Sequence, residues 1–137
     1  MSRLIESHSA EYPTPTDVFR AALAETLERG AGSRCHFDGA DSSVWVEVTP
    51  GERGLLIRLP CPRREGPEEI LAEKGVGVPD HWRIVEFRKH GRRSPGFMIT
   101  YLAPEKDLDR IIAFLDRLFA STSAKNPSYR VSGSVQS

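Results

Sequence analysis

Apolar side chains recur at helical spacing near the beginning of the chain. They repeat every four residues, at Phe19, Leu23 and Leu27, and so share one face of a helix. Thr14 belongs to the residue types that cap helices, and Pro15 suits the first helical position because its missing N–H would have no partner there. Gly30 ends the pattern. The sequence therefore predicts an amphipathic helix that begins at Thr14-Pro15 and ends before Gly30.

The spacing changes to strict alternation in the next segment, where apolar and polar side chains succeed one another over residues 43–49 and again over 55–59. A two-residue period is typical of a half-buried strand. With a short strand at 34–37, these segments predict an antiparallel meander of three strands. A short helix at 67–74, a hairpin of strands at 84–87 and 97–102, and a closing helix follow. The closing helix has an apolar stripe of Leu108, Ile111, Ile112, Leu115, Leu118 and Phe119.

These elements predict an α+β fold in the order α-β-β-β-α-β-β-α. Its five-stranded antiparallel sheet carries helices mainly on one face. We expect one domain over residues 14–120, because both ends of the chain lack a sustained apolar pattern. Residues 1–13 are interpreted as a flexible lead-in. Residues 121–137 are rich in serine and are interpreted as a disordered tail.

The bulk composition narrows the class of protein. The 137 residues are 39% hydrophobic and 28% charged, and 19 basic residues balance 19 acidic ones. This balance disfavours a dedicated nucleic-acid binder, which usually has a basic excess. No apolar run approaches the roughly 20 residues that span a bilayer, and the first residues lack the apolar stretch of a signal peptide. We therefore expect a cytoplasmic protein without a membrane partner, with Cys35 and Cys61 as free thiols.

No motif in the sequence indicates a catalytic site, a metal site or a cofactor. The four histidines are dispersed, and neither cysteine belongs to a paired-cysteine ligand motif. Cys35 and His36 are adjacent on a predicted strand, so their side chains should point to opposite faces and should not bind one ion. The sequence thus predicts no catalytic, metal-ligating or cofactor-binding residues.

Two surfaces are candidate binding sites. Trp45 alternates with the valines of its strand, so it should lie on the opposite face of the sheet, which is either left open or covered by a helix or the tail. Leu56 should lie beside it. The candidate residues on this face are Trp45, Glu47, Leu56 and Arg58. The second surface is the basic hairpin of the last two predicted strands, with candidates Arg88, Lys89, Arg92 and Arg93. This hairpin is suited to an acidic partner or to phosphates, or it is simply a solvated sheet edge.

The element order resembles the small dimeric chaperones of type III secretion systems and the related YbjN-like proteins. The resemblance covers roughly residues 14–120. It depends most on the stretches 84–87 and 96–102 and on the closing helix. It implies a homodimer that binds extended peptide segments of a partner protein. This chain departs from the family in its neutral charge, its basic hairpin and its serine-rich tail.

Three functions are therefore open at the level of sequence. The first is a non-enzymatic protein- or peptide-binding module, chaperone-like, that holds a partner segment on an exposed sheet or helix surface. The second is a nucleic-acid or anionic-ligand binder that uses the basic hairpin. The third is an enzyme with an unrecognised pocket, which would need titratable groups converging in a cleft.

Overall fold

The computed structural model describes residues 2–40, 44–61, 71–72, 75–89, 96–123 and 129–137. Within these ranges the helices are α1 (Pro15–Arg29) and α2 (Leu108–Thr122), and a 3-10 turn at Glu105–Asp107 leads into α2. The strands are β1 (Arg3–Glu6), β2 (Arg34–Gly39), β3 (Trp45–Gly51), β4 (Gly54–Cys61), β5 (Arg83–Lys89), β6 (Phe97–Ala103) and β7 (Val131–Gln136). No helix of the described part is long and apolar enough to cross a membrane.

The strands form one antiparallel sheet in the order β1-β7-β2-β3-β4-β6-β5. The predicted meander of β2, β3 and β4 is present, and it lies at the centre of the sheet. The hairpin of β5 and β6 is also confirmed, and β6 rather than β5 pairs with β4. The two edges of the sheet are therefore β1 and β5.

Helix α1 begins as the sequence predicted. The backbone N–H of Asp17 donates to the Thr14 hydroxyl, and the backbone N–H of Thr14 donates to the Asp17 carboxylate, so the two residues form a capping box. Phe19 then packs from α1 against Phe37 of β2, with ring centroids 5.2 Å apart, and against Phe119 of α2, at 5.7 Å. These three rings join both helices to one face of the sheet.

The opposite face carries no helix in the described part of the chain, and we call it the open face. Burial alternates along the central strands as a two-layer structure requires. Val46 and Val48 are buried under the helices, whereas Trp45 and Glu47 on the alternate positions are half-buried. The predicted α+β class, with helices on one face of an antiparallel sheet, is thus confirmed.

The predicted count of five strands is wrong by two, and both additional strands come from the chain ends. Strand β1 lies in the expected flexible lead-in (1–13), and β7 lies in the expected disordered tail (121–137). Strand β7 was missed because its sequence, VSGSVQ, is poor in the large β-branched and aromatic residues that mark strands. Its glycine is required by packing: a Cβ at Gly133 would lie 3.0 Å from the Phe37 ring.

The two ends of the chain are fixed to each other by hydrogen bonds between residues 7 and 131. The backbone N–H of Ser7 donates to the Val131 carbonyl, and the N–H of Val131 donates to the Ser7 hydroxyl, each at 3.0 Å. Tyr129 donates from its hydroxyl to Asp116 of α2 at 2.5 Å. The tail is therefore held by both the sheet and the last helix.

Two predicted features lie largely outside the described residues. Of the short helix at 67–74, only Leu71 and Ala72 are described with helical geometry, and Leu71 is buried. The tip of the basic hairpin, residues 90–95, also lies outside the described part of the chain.

Candidate functional site at the outer edge strand

Strand β5 is an edge strand whose surface is unusually apolar. It pairs with β6 on one side, and no described strand pairs with its other side. The exposed fractions of Ile84, Val85 and Phe87 are 43%, 47% and 36%. The remaining large apolar residue that is exposed in the described part of the chain is Leu4, on the opposite edge at 66%. Exposed apolar surface is thus concentrated on one edge strand.

The register of β5 against β6 sorts its side chains onto two sides. Ile84 and Phe87 pair with the buried residues Tyr101 and Ile99, so they point to the helix side of the sheet. The Phe87 ring also stacks on Phe97, with centroids 5.5 Å apart and planes 8° from parallel. A register shift between Ile84 and Glu86 places a bulge at Val85. The apolar side of β5 therefore continues the hydrophobic core. No described residue covers it completely.

The other side of β5 is charged and continues the open face. Arg83, Glu86 and Arg88 pair with Leu102, Thr100 and Met98 of β6. Arg88 Nε lies 3.5 Å from a Glu86 carboxylate oxygen, and Arg58 Nη2 lies 4.0 Å from the same oxygen. Arg83 forms no ion pair with a described residue. Lys89 forms none either, but it pairs with Phe97 and so points to the helix side. Strand β5 therefore has a cationic surplus on an apolar edge.

The four hairpin candidates from the sequence are divided by the structure. Arg88 and Lys89 lie at the end of β5, where both are exposed. Arg92 and Arg93 lie outside the described residues. Half of the predicted basic surface is thus located on the edge strand, next to apolar side chains that the sequence did not single out.

The open-face candidates Trp45, Glu47, Leu56 and Arg58 lie on the predicted face, but they do not form the expected exposed apolar patch. Trp45 and Leu56 are half-buried. The Trp45 ring stacks on His36 with centroids 5.7 Å apart, and Arg58 Nη1 donates to Glu47 Oε1 at 3.3 Å. Arg58 Nε also donates to the Thr100 hydroxyl, at 3.4 Å. Around these residues the face is therefore a polar network in which Glu47 and Arg58 are paired with each other.

A concavity of about 440 Å³ lies on this face. It is lined mainly by Arg34, Glu47, Thr49, Leu56, Arg58 and Gln136. Two of its charged groups are paired with each other, as described, and Arg34 donates to the Gln136 side-chain oxygen from both Nε and Nη2. These satisfied contacts leave the concavity less suited to a charged ligand than β5 is.

A buried carboxylate fixes the residues that lead into β5. Asp107, at the start of α2, accepts a hydrogen bond from Trp82 Nε1 at 2.9 Å and contacts the His81 ring, and Arg110 Nη1 lies 3.5 Å away. Trp82 is buried against Phe114 at 5.4 Å between centroids. This cluster connects the beginning of β5 to α2 and sets where the edge strand starts.

The Asp107 cluster predicts a defined acid dependence of stability. The Trp82 N–H first, and then the His81 ring and Arg110, lower the pKa of the Asp107 carboxyl below its ordinary value of 3.8. A lowered native pKa stabilises the folded state above the unfolded pKa, and this contribution is lost as the pH falls through the native pKa. We expect Asp107→Asn to lower the urea midpoint at pH 7, and we expect the difference from wild type to shrink below about pH 3.8.

The control for this prediction is Asp109→Asn, two residues further along in the first turn of α2. Asp109 is exposed, and among the described residues its ion pair is with the exposed Arg20, at 3.1 Å. Exposed pairs contribute little to stability. Urea unfolding of both variants from pH 7 to pH 2 makes the comparison. An Asp107→Asn protein with a wild-type midpoint at pH 7 would contradict the role given to the cluster.

The Cys35 thiol lies in the core, on the side of its strand opposite His36. Burial raises the pKa of the Cys35 thiol to about 12, so it is protonated at neutral pH. Cys35 points into the core while His36 points to the open face, as predicted from their adjacency. Among the described residues, no group of three His, Cys, Asp or Glu side chains is placed to hold a metal ion.

The sequence predicted the strand at 84–87 but not its importance. Ile84, Val85 and Phe87 read as ordinary strand residues, and only the order of strands in the sheet shows that they lie on an edge. In the sequence, the available indication of this site was a run of apolar residues next to several cations. Comparison of the chain with protein-family models, with curated proteins and with solved structures found no match.

Proposed function

We propose that the protein is a non-enzymatic binding module that holds an extended segment of a partner protein by strand addition to β5. The observation that carries this proposal is the concentration of exposed apolar side chains on an edge strand: Ile84, Val85 and Phe87. Natural edge strands are usually short, charged or covered, because an apolar edge recruits further strands. An edge strand that keeps an exposed apolar surface is therefore suited to bind an added strand.

The backbone of β5 supplies the affinity in this proposal. An edge strand presents a row of unpaired N–H and C=O groups, and an incoming strand satisfies them while its alternate side chains select the partner. The seven residues Arg83–Lys89 span about 23 Å at the usual rise per residue. A partner segment of similar length fits along this edge. The resemblance to peptide-binding secretion chaperones agrees with such a function.

Binding of nucleic acid through the same hairpin is less well supported. The aromatic ring on β5, Phe87, stacks on Phe97 and so presents only one face outward. The exposed aliphatic residues between the cations also give phosphates nothing to bind.

The proposal predicts that a cation in the middle of the edge removes binding. A random peptide library displayed on phage is selected against the purified wild-type protein, and the selected peptides are synthesised and titrated by calorimetry. Because Val85 is 47% exposed, Val85→Lys should leave the fold intact. It should weaken the selected peptides at least about tenfold, since a buried apolar contact of about 1.4 kcal/mol is replaced by a charge.

Leu4→Lys is the matched control. It makes the same chemical change at a still more exposed residue on the opposite edge strand, β1. Peptide affinity should be the same in Leu4→Lys as in wild type. Selected peptides that bind Val85→Lys as tightly as wild type would place the site elsewhere and would reject strand addition at β5.

A further inference from the structure

We infer that the segment held on β5 alternates apolar and acidic side chains, with its apolar side chains on the helix side of the sheet and its carboxylates on the open face. This inference depends on strand addition at β5, as proposed above. It specifies which side chains the partner segment carries, because the position of β5 at the edge of the sheet does not determine them. It follows from the register of β5 and from the charges along it.

The helix side of β5 selects apolar side chains. Ile84 and Phe87 lie on this side, next to the buried Tyr101 and Ile99 of β6, and both remain partly exposed. Lys89 pairs with Phe97 and lies on the same side, at the end of the strand. An added strand places every second side chain on the same side of the sheet. Those side chains would pack beside Ile84 and Phe87 and remove their apolar surface from water. A polar residue there would lose its hydration without gaining a partner.

The open-face side of β5 selects carboxylates. Arg83 and Arg88 lie on this side with Glu86 between them. Glu86 is shared by Arg88 at 3.5 Å and by Arg58 at 4.0 Å, whereas Arg83 has no ion pair with a described residue. Opposite charges on directly paired residues stabilise a sheet, and like charges destabilise it. Acidic side chains on the added strand would therefore pair with the two arginines.

A second copy of this chain is a poorer occupant of the same edge. Strand β5 carries Arg83, Arg88 and Lys89 against Glu86, a surplus of two positive charges. Two copies would bring this surplus together, whereas an acidic segment neutralises it. The same cations that discourage self-association thus attract an acidic strand.

The test uses synthetic peptides of about eight residues, which match the length of β5. One alternates Val with Glu, one alternates Val with Ser, and one alternates Val with Lys. We expect the Val/Glu peptide to bind the wild-type protein at least about tenfold more tightly than the Val/Ser peptide at low salt, and the Val/Lys peptide to bind weakest. The preference for Glu should decrease as salt screens the charges.

Charge reversal on the strand gives the decisive comparison. In the double variant Arg83→Glu, Arg88→Glu, the order of affinities should invert, so that the Val/Lys peptide binds more tightly than the Val/Glu peptide. The control is Arg20→Glu, Arg34→Glu, which makes the same change in net charge at exposed arginines of α1 and β2. The control should keep the wild-type order, because its charges are far from β5.

The outcomes separate this inference from the proposed function. Equal affinity for the Val/Glu and Val/Ser peptides, with both weakened by Val85→Lys, would overturn the acidic class and leave strand addition standing. Preference for Glu that survives the charge reversal would place the acidic site elsewhere and overturn the inference. A Val85-dependent dimer in sedimentation experiments, or a single-stranded DNA oligomer that displaces the Val/Glu peptide from β5, would overturn it in favour of a second copy or a general polyanion.

Discussion

Deleting residues 129–137 is expected to abolish cooperative folding. The deletion removes β7, which lies between β1 and β2 in the sheet. It therefore also detaches β1, whose described sheet partner is β7. The apolar side chains that are lost, Tyr129, Val131 and Val135, are all buried.

The burial free energy that the deletion removes is similar in size to the total free energy of unfolding of a domain. Burying a large apolar side chain contributes about 1.5–3 kcal/mol, so three of them contribute about 5–9 kcal/mol. Domains of this size are stable by only about 5–15 kcal/mol in total. The deletion also exposes Phe37, against which Gly133 packs. Most of the truncated chain should therefore be unfolded at 25 °C.

Circular dichroism during heating measures this effect directly. The wild type should melt in one cooperative transition, and the truncated chain should show none. The double variant Ser132→Thr, Ser134→Thr is the control, because both side chains point to the open face and should keep the fold. A truncated chain that melts like the wild type would mean that the tail is dispensable, as the composition of residues 121–137 suggested.

Gly54→Ala is expected to be the most damaging single substitution in the turns. Gly54 has a φ of +146°, which L side chains rarely adopt, and an added Cβ would lie 2.3 Å from the Ala103 carbonyl oxygen. That oxygen is backbone, so it cannot rotate away. The strain and the clash together should cost about 3 kcal/mol or more. Because Gly54 begins β4 beside the end of β6, the change should disturb the two strands on which β5 depends.

Gly32→Ala separates the clash from the strain. Gly32 also has a positive φ, +89°, but nothing lies within 4 Å of the place where its Cβ would be. Only the backbone strain applies there, at about 1–2 kcal/mol. Urea unfolding should therefore rank wild type above Gly32→Ala and Gly32→Ala above Gly54→Ala. If the two variants lost equal stability, the close approach of Gly54 to Ala103 would not contribute to the effect of Gly54→Ala.

The elements with a clear period could be predicted from the sequence. Both long helices follow their apolar stripes, and α1 begins at the predicted cap, Thr14. The strands around Val46 and Ile57 follow their alternation. Strand β7 could not be predicted in this way. Its buried positions, Val131 and Val135, flank a glycine whose place depends on the neighbouring Phe37 and Val18 side chains.

The candidate site was predicted only in part, because its location depends on tertiary structure. Alternation correctly placed Trp45 and Leu56 on the face without helices. It could not show that Trp45 stacks on His36, which lies on a neighbouring strand. The order of β6 and β5 decides which hairpin strand is the edge, and no local pattern encodes that order. The apolar surface of Val85 became a candidate only when β5 was found at the edge.

Amide hydrogen exchange of β5, measured by NMR with and without a bound peptide, tests strand addition most directly. In the free protein, every second amide of residues 83–89 should exchange quickly, because an edge strand bonds its neighbour with alternate residues only. A saturating peptide from the library selection should slow these amides strongly. Unchanged exchange along β5 at saturation would contradict strand addition and would leave the edge without its proposed role.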